Sequence, residues 1–562
     1  MQGPKAPKDP TAKGSSFYIC RQKDIAGNPT PDGKGIQFIY LDGVRLISLA
    51  KMVGNIEDEA MLENLKTAEG FLNMVAGIGV TVDAASTRTN VNFEFQMYGK
   101  TDPYHSGDTI KVSVKPDGME QIIWLDDYTW CDDNDIVGQM RYVFENPGDV
   151  AVTDVKLYLR EGFEAPEQEE ANPVDVNSED YRLILTKSLK NTGNYARLKR
   201  VIDRSKAGEE VTVAFIGGSI TQGAGAIPIH EKSYAFQTYD KWKKAFGENT
   251  KFIKAGVGGT SSEFGIVRFE RDVLREGTVK PDLVVIEFAV NDAGDETGGV
   301  CYESLIRKCL SLSEFTAVVL LFAVFVDDWN LEDRLGPIGE RYNLPMVSIK
   351  MGVVDQFYKK PGEGRVLSKS QFFYDSYHPT NMGHYIMSDC LMNLFHEVDK
   401  LPEKDEEDWK AVAPYMGDDF TFVRLADKHT NADKLQIVSL GSFSETDEEL
   451  QYAEKDVDPF GTKQFPYNWH RTTGNEPFVM KITCKALLIV TKDSGEVTYG
   501  KAKAVVDGKE VRVMDPKEVG WTHCNSQILL NERESGEHVV EISMLPEDAE
   551  KKFTILGFGY VE

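Results

Sequence analysis

Apolar positions along this chain change their rhythm twice. Up to about residue 165 they come in short runs rich in β-branched and aromatic residues, at 36–41, 90–97, 109–114, 121–125, 140–144 and 155–159, separated by Gly, Asp and Asn. This pattern predicts a β-sandwich. Residues 57–76 carry apolar side chains at helical spacing (Met61, Leu62, Leu65, Ala68, Phe71, Leu72), which predicts one helix packed against those strands. Residues 166–180 are crowded with Glu, Asp and Pro, have little to bury, and read as a linker.

From 181 to 400 the pattern becomes strand and helix in alternation. Strand-like runs at 211–216, 251–253, 283–288, 317–325 and 346–349 are separated by helical stretches at 235–246, 264–274, 302–312 and 332–342. The strands are continuously apolar rather than alternating, as in a parallel sheet covered on both faces. After an acidic stretch at 403–408 the chain returns to β-like runs at 435–440, 478–483, 487–490, 502–506, 539–542 and 553–560. The expected organisation is an N-terminal β-sandwich domain over 1–165, a linker over 166–180, an α/β domain over 181–400, and a C-terminal β-sandwich over 401–562 that would suit carbohydrate binding. No internal repeat relates the two β regions.

Composition narrows the function. A 562-residue chain with 41% hydrophobic residues can form several cores, and its formal net charge of −27 disfavours nucleic acid and anionic lipid as partners. A neutral substrate fits best. The longest apolar run, 316–326, is too short to span a bilayer, and residues 1–9 contain no apolar stretch of the kind an export signal needs. Seven cysteines without C-x-x-C spacing read as reduced thiols. The expected location is therefore cytoplasmic, unless an export signal has been removed.

The candidate chemistry lies in four segments: Gly217-Gly218-Ser219-Ile220-Thr221, Ala255-Gly256-Val257-Gly258-Gly259, Ala289-Val290-Asn291-Asp292 and Asp375-Ser376-Tyr377-His378-Pro379. Ser219 follows the first predicted strand and precedes a helical stretch, where a sharp turn exposes its hydroxyl. Asp375 and His378 lie three residues apart, so a carboxylate can orient an imidazole, which is the logic of an activated serine nucleophile. Ser219, Gly259 and Asn291 each follow a strand. All three therefore fall at the carboxyl edge of a parallel sheet, where ligands of such folds bind.

These segments resemble the four sequence blocks of the SGNH (GDSL-like) hydrolase superfamily, in its carbohydrate esterase-like branch. The resemblance implies a three-layer α/β/α sandwich. It also implies that Ser219 is the nucleophile, His378 the general base and Asp375 its orienter, with an oxyanion hole formed by the N–H groups of Ser219 and Gly259 and the side-chain amide of Asn291. Gly258 or Gly256 could supply the loop N–H instead of Gly259. No metal or cofactor is required. Two positions depart from the family pattern: Gly218 stands where the first block usually carries Asp, and Lys254 where the second often begins with Asn.

Other features have plainer readings. His384 is an alternative base without a paired acid, and His230, His470 and His523 read as surface or interdomain residues. Arg268 reads as an ion-pair partner, and the 132–135 acidic cluster as a solvated turn. Trp124, Tyr128, Trp130, Trp469 and Trp521 could present flat faces to sugar rings but are more often core. The resulting expectation is a serine esterase that removes O-acetyl groups from plant-type xylan or mannan polysaccharides or their oligosaccharides through an acyl-enzyme. The alternatives are a lipase or acyl-thioesterase on the same scaffold and a non-catalytic carbohydrate-binding protein. The substrate-binding residues, the glycan and the oligomeric state are not set by the sequence.

Overall fold

The computed structural model describes residues 14–29, 36–42, 45–83, 91–168, 172–360, 362–429 and 435–562. Residues 1–9, read above for an export signal, and residues 169–171 of the predicted linker lie outside the described residues. The chain forms two compact units. One comprises residues up to 176 together with 225–228 and 359–383, and the other comprises 177–224, 229–358 and 384–562.

In the first unit, an antiparallel sheet of four strands runs in the order Ser16–Ala26, Val150–Leu159, Val75–Val82, Gln121–Trp124. A second sheet of five runs Asn28–Pro29, Ile36–Asp42, Asn134–Val143, Val91–Gly99, Thr109–Val114. Phe17, Ile78, Val80 and Leu157 of the first share one core with Phe93, Phe95, Met140 and Tyr142 of the second. The sandwich expected for this region is thus present, but the single helix expected over 57–76 is not. Two short helices, Glu59–Asn64 and Ala68–Met74, are followed by a strand starting at Val75. Thr67 is the reason: its backbone is extended (φ −127°, ψ 155°) and its side chain accepts from the Gly70 N–H, so it caps a new helix and interrupts the first. Ile227 and Tyr374, from the two later segments, are buried in the same core.

The second unit contains a sheet of six strands in the order Leu189–Asn191, Met346–Ser348, Ala317–Phe322, Leu283–Glu287, Val211–Gly217, Thr250–Gly256. The last five strands are parallel, and Leu189–Asn191 is an antiparallel edge. Both faces are covered, which explains the unbroken apolar strands. Ala214, Ile216, Val284 and Ile286 pack toward the helices Ser262–Asp272 and Val300–Ser311. On the opposite face Phe215 meets Tyr234 of helix Tyr234–Phe246 edge-on, with ring centroids 5.8 Å apart. The central layers are therefore α/β/α.

Residues beyond 424 in this unit build an antiparallel sheet of eight strands. Its runs 478–483 and 487–490 are parts of one strand, Phe478–Asp493, which pairs along most of its length with the long strand His523–Met544. Phe465, Ala486, Leu488 and Leu556 from this sheet region share a core with Phe264, Val267 and Phe269 of helix Ser262–Asp272. Among the described residues no helix is long and apolar enough to cross a membrane. Among the described residues no cysteine forms a disulfide, and six of the seven are buried.

Candidate active site

The strand Val211–Gly217 is wholly buried and pairs with the strands that end at Gly256 and Glu287. Close approach dictates the glycines that follow. A Cβ on Gly217 would lie 2.4 Å from the Glu287 carbonyl oxygen, and one on Gly218 would lie 2.1 Å from Asn291 Oδ1. This chain therefore carries glycine, not Asp, at position 218. The chain then turns at once into the short helix Ser219–Gln222, with Ser219 as its half-buried first residue.

Asn291 follows the strand Leu283–Glu287 and opens a single 3-10 turn, Asp292–Gly294. Its Oδ1 is buried without a hydrogen-bond partner among the described residues. The side-chain amide of Asn291 thus lies against Gly218, the residue before the candidate nucleophile. The adjacent Asp292 is buried and accepts from Ser262 N–H at 2.8 Å and Ser262 Oγ at 2.7 Å. Burial, then the charge of Asp295, pushes its carboxyl up to about 7. Below them, Glu287 is buried and pushed up to about 8 by desolvation, with Thr221 Oγ1 donating to its Oε2 at 3.2 Å.

Of the three glycines left open in the second segment, each has a different role. Gly256 is the end of a strand, where a Cβ would lie 1.9 Å from Gln222 N. The Gly258 N–H is taken by Gln222 Oε1 at 2.7 Å. Gly259 has φ +72°, in the left-handed region that favours glycine, and its N–H has no hydrogen-bond acceptor among the described residues. Lys254, the second departure from the family pattern, is buried and donates through Nζ to the Gln222 carbonyl at 2.8 Å, tying off the end of the serine helix. Desolvation holds its ammonium down at about 8. Arg268 does more than pair with Asp272 at 3.2 Å. Fully buried, it donates to the carbonyls of Ala255 at 2.7 Å and Gly217 at 2.9 Å, clamping together the ends of the two strands that carry the serine and glycine segments.

Asp375 and His378 belong to the first unit. The pairing expected from their spacing is present: His378 Nδ1 lies 2.9 Å from Asp375 Oδ2 and 3.0 Å from Oδ1. Asp375 Oδ1 also accepts the N–H groups of Tyr377 and His378, each at 2.8 Å. Burial works against the carboxylate, but His378, Arg45 and the Tyr377 N–H outweigh it and hold the group well below the usual range. Arg45 Nη1 stands 3.2 Å from Asp375 Oδ2 and comes from the helix Arg45–Met52, more than 300 positions away in sequence. Nothing in the local sequence signals that partnership. The same loop is tied to the sandwich by Lys23 Nζ, which donates to the Ser370 and Phe373 carbonyls at 2.7 and 2.8 Å, and by Ser376 Oγ on Ser48 Oγ.

The remaining histidines separate clearly. His384 is fully buried, with Nδ1 accepting the Tyr234 N–H at 3.1 Å and Nε2 donating to the Ala224 carbonyl at 3.0 Å, so both ring nitrogens are committed. His470 is buried against Thr554, and His230 lies 3.6 Å from Glu231. His523 was read as a surface or interdomain residue. It is buried where the expected α/β and C-terminal β regions meet, with Nδ1 on Asp493 at 2.9 Å and Nε2 donating to the Gly259 carbonyl at 3.0 Å. Beside it Trp521 is 44% exposed, and its ring edge lies 2.9 Å from where a Gly259 Cβ would stand. Trp469 is buried, and Trp130 packs on the sandwich core with its Nε1–H donated to Leu125. Asp133 of the acidic cluster is tied up by Thr101 and Ser106, as in a turn. Among the described residues no cluster of His, Cys, Asp and Glu has the form of a metal site.

A family model for GDSL-like lipases and acylhydrolases matches residues 215–386. In fold and sequence the chain is similar to the crystal structure of a two-domain esterase (CEX) active on acetylated mannans, with 26% identity and a TM-score of 0.56, covering 67% of this chain and 99% of that one. The same esterase co-crystallised with mannopentaose gives 26% identity and a TM-score of 0.55 over the same shares of the two chains. Comparison with curated protein sequences finds no match.

Proposed function

From a chain that is a GDSL-like (SGNH) hydrolase over residues 215–386, and hence a carboxylic ester hydrolase, we propose an acetylesterase that removes O-acetyl groups from mannan-type polysaccharides or oligosaccharides. In this reading Ser219 Oγ attacks the acetyl carbonyl while His378 takes its proton, and His378 then returns that proton to the departing sugar oxygen. The resulting acetyl-Ser219 is hydrolysed by water activated in the same way. Asp375, held ionised by Arg45 and by its N–H donors, fixes the tautomer of His378 with Nδ1–H toward itself and Nε2 as the basic nitrogen. The tetrahedral oxyanion is received by the N–H groups of Ser219 and Gly259 and by the amide of Asn291.

One observation carries the proposal. In the second segment Gly259 turns a left-handed corner beside the serine helix with its N–H uncommitted among the described residues, while the N–H of neighbouring Gly258 is tied to Gln222. A preorganised donor of this kind is what acyl transfer needs, and removing one typically costs about 100- to 1,000-fold in rate. Mannan is chosen over xylan because the similar two-domain esterase is active on acetylated mannans.

The deciding experiment measures acetate released from acetylated glucomannan and acetylated xylan by the wild-type protein, Ser219→Ala and His378→Ala. Release from glucomannan that both substitutions abolish, with the fold intact, is the expected result. Activity surviving in Ser219→Ala would sink the mechanism. A series of aryl esters from acetate to octanoate should fall steeply beyond two or three carbons, and a rise with chain length would point to a lipolytic enzyme instead.

A further inference from the structure

Gly258 and Gly259 enclose a peptide group with no Cβ on either side. Such a peptide can rotate about its flanking bonds with little steric resistance. A flip would replace the N–H of Gly259 with the Gly258 carbonyl, putting an acceptor where a donor is needed. Residues from the C-terminal β region oppose this rotation. Gln451 Nε2 donates to the Gly258 carbonyl at 2.7 Å, and its Oε1 accepts the Cys524 N–H at 2.9 Å. That second bond fixes which end of the amide faces the glycine. The next carbonyl, that of Gly259, accepts His523 Nε2 at 3.0 Å, and His523 is held by Asp493 on its other nitrogen. On the preceding side Gln222 Oε1 takes the Gly258 N–H while its Nε2 donates to Glu454 Oε2 at 2.5 Å. Gln451 and His523 are both buried, so water competes little for these bonds.

We propose that Gln451 and His523 are positioning residues that lock the Gly258–Gly259 peptide in its donor orientation, making the C-terminal β region part of the oxyanion device. This rests on the assignment of Gly259 as an oxyanion donor. Gln451 acts on the carbonyl of the same amide whose N–H faces the reaction, and a hydrogen bond at the carbonyl polarises that N–H into a better donor. Neither residue belongs to the four catalytic segments, and neither contact needs a sugar. The lock therefore acts even on an ester that carries no carbohydrate.

The test uses the full chain with 4-nitrophenyl acetate. Gln451→Glu keeps the size and removes the donor, Gln451→Met removes both hydrogen bonds, and His523→Gln retains a side-chain donor. Rates are normalised to active sites titrated by the acetyl-enzyme burst, so unfolded protein does not count. Gln451→Glu and Gln451→Met should lower kcat about 10- to 100-fold with KM within about twofold, a fraction of the loss for deleting an oxyanion donor outright. Affinity for a boronic acid that mimics the tetrahedral intermediate should fall in parallel, and His523→Gln should retain most of the rate. Wild-type kcat in both Gln451 variants, or a loss confined to KM on glycan substrates, overturns the lock. Ser219→Ala, measured alongside, keeps the two ideas apart: if it stays active the serine reading itself fails, and if it is dead while Gln451→Glu is fully active only the lock fails.

Discussion

Ser219, Gly259 and His378 gain their character from what their neighbours deny them. Glycine is required at 217 and 218 because the Glu287 carbonyl and Asn291 amide occupy the space a side chain would need. Gly259 is constrained doubly, by its positive φ and by the ring edge of Trp521. Gly259→Ala therefore combines a left-handed backbone penalty of about 1–2 kcal/mol with a contact that forces Trp521 or the loop to move. The expected outcome is a fall in kcat of about 100-fold on aryl acetate, approaching the loss of one oxyanion donor. Steady-state kinetics check this, and an unchanged kcat would remove Gly259 from the device. The Asp375–His378 pair was legible from its spacing, whereas the third partner, Arg45, was not, because an ion pair between distant segments leaves no local pattern.

Among the elements, strands were legible where burial on both faces left an unbroken apolar run, as at Val211–Gly217 and Leu283–Glu287. The 57–76 region failed because helical spacing of apolar residues continued across Thr67, whose side chain caps a second helix, and the β-branched run after Met74 belongs to a strand. Helix Ser262–Asp272 is buried from Ser262 to Phe269, since the sheet covers one side and the C-terminal β region another. That double burial lets Arg268 reach the ends of two strands. Arg268→Met removes the guanidinium donors from the carbonyls of Gly217, which keeps only the Val257 N–H, and Ala255, and disturbs the charge balance around buried Asp272. The expected loss is about 3 kcal/mol of stability, since breaking one partner of a buried charged network is strongly destabilising. Urea denaturation measures it, and a loss under 1 kcal/mol would show that the guanidinium clamp is dispensable.

At the scale of the whole molecule, the net charge of −27 counts several acids whose protons the fold holds to unusually high pH. Burial pushes Glu287 up to about 8, Asp292 to about 7 and Glu263 to about 9, from ordinary values near 4. The folded state thus holds more protons than the unfolded chain between those limits. Their contribution to stability is fully present below about pH 4 and is lost as pH rises through 7 to 9. Lys254 and Lys455, held down at about 8, act the other way, regaining stability from pH 8 upward. Asp375, whose carboxyl is depressed, adds stability above the usual carboxylate range and loses it as the solution is acidified. The clean window is pH 5 to 8, in which unfolding free energy should decline and Glu287→Gln should flatten the decline. Denaturant titrations at several pH values read this directly, and equal slopes in both proteins would contradict it.

The sequence by itself determined the α/β sheet with its flanking β regions, the carboxyl-edge placement of the serine, glycine and asparagine segments, and the Asp375–His378 pair. Each depends on residues adjacent in the chain or on the period of an element. The tertiary structure decided what depends on distant residues meeting: which glycine keeps a free N–H, the burial of His384 and His523, the support of Asp375 by Arg45, and the hold of Gln451 on the Gly258 carbonyl. The physical reason is that local pattern specifies where a strand ends and which way a side chain points. A hydrogen bond between residues some 190 positions apart exists only once two segments distant in the chain have been packed together.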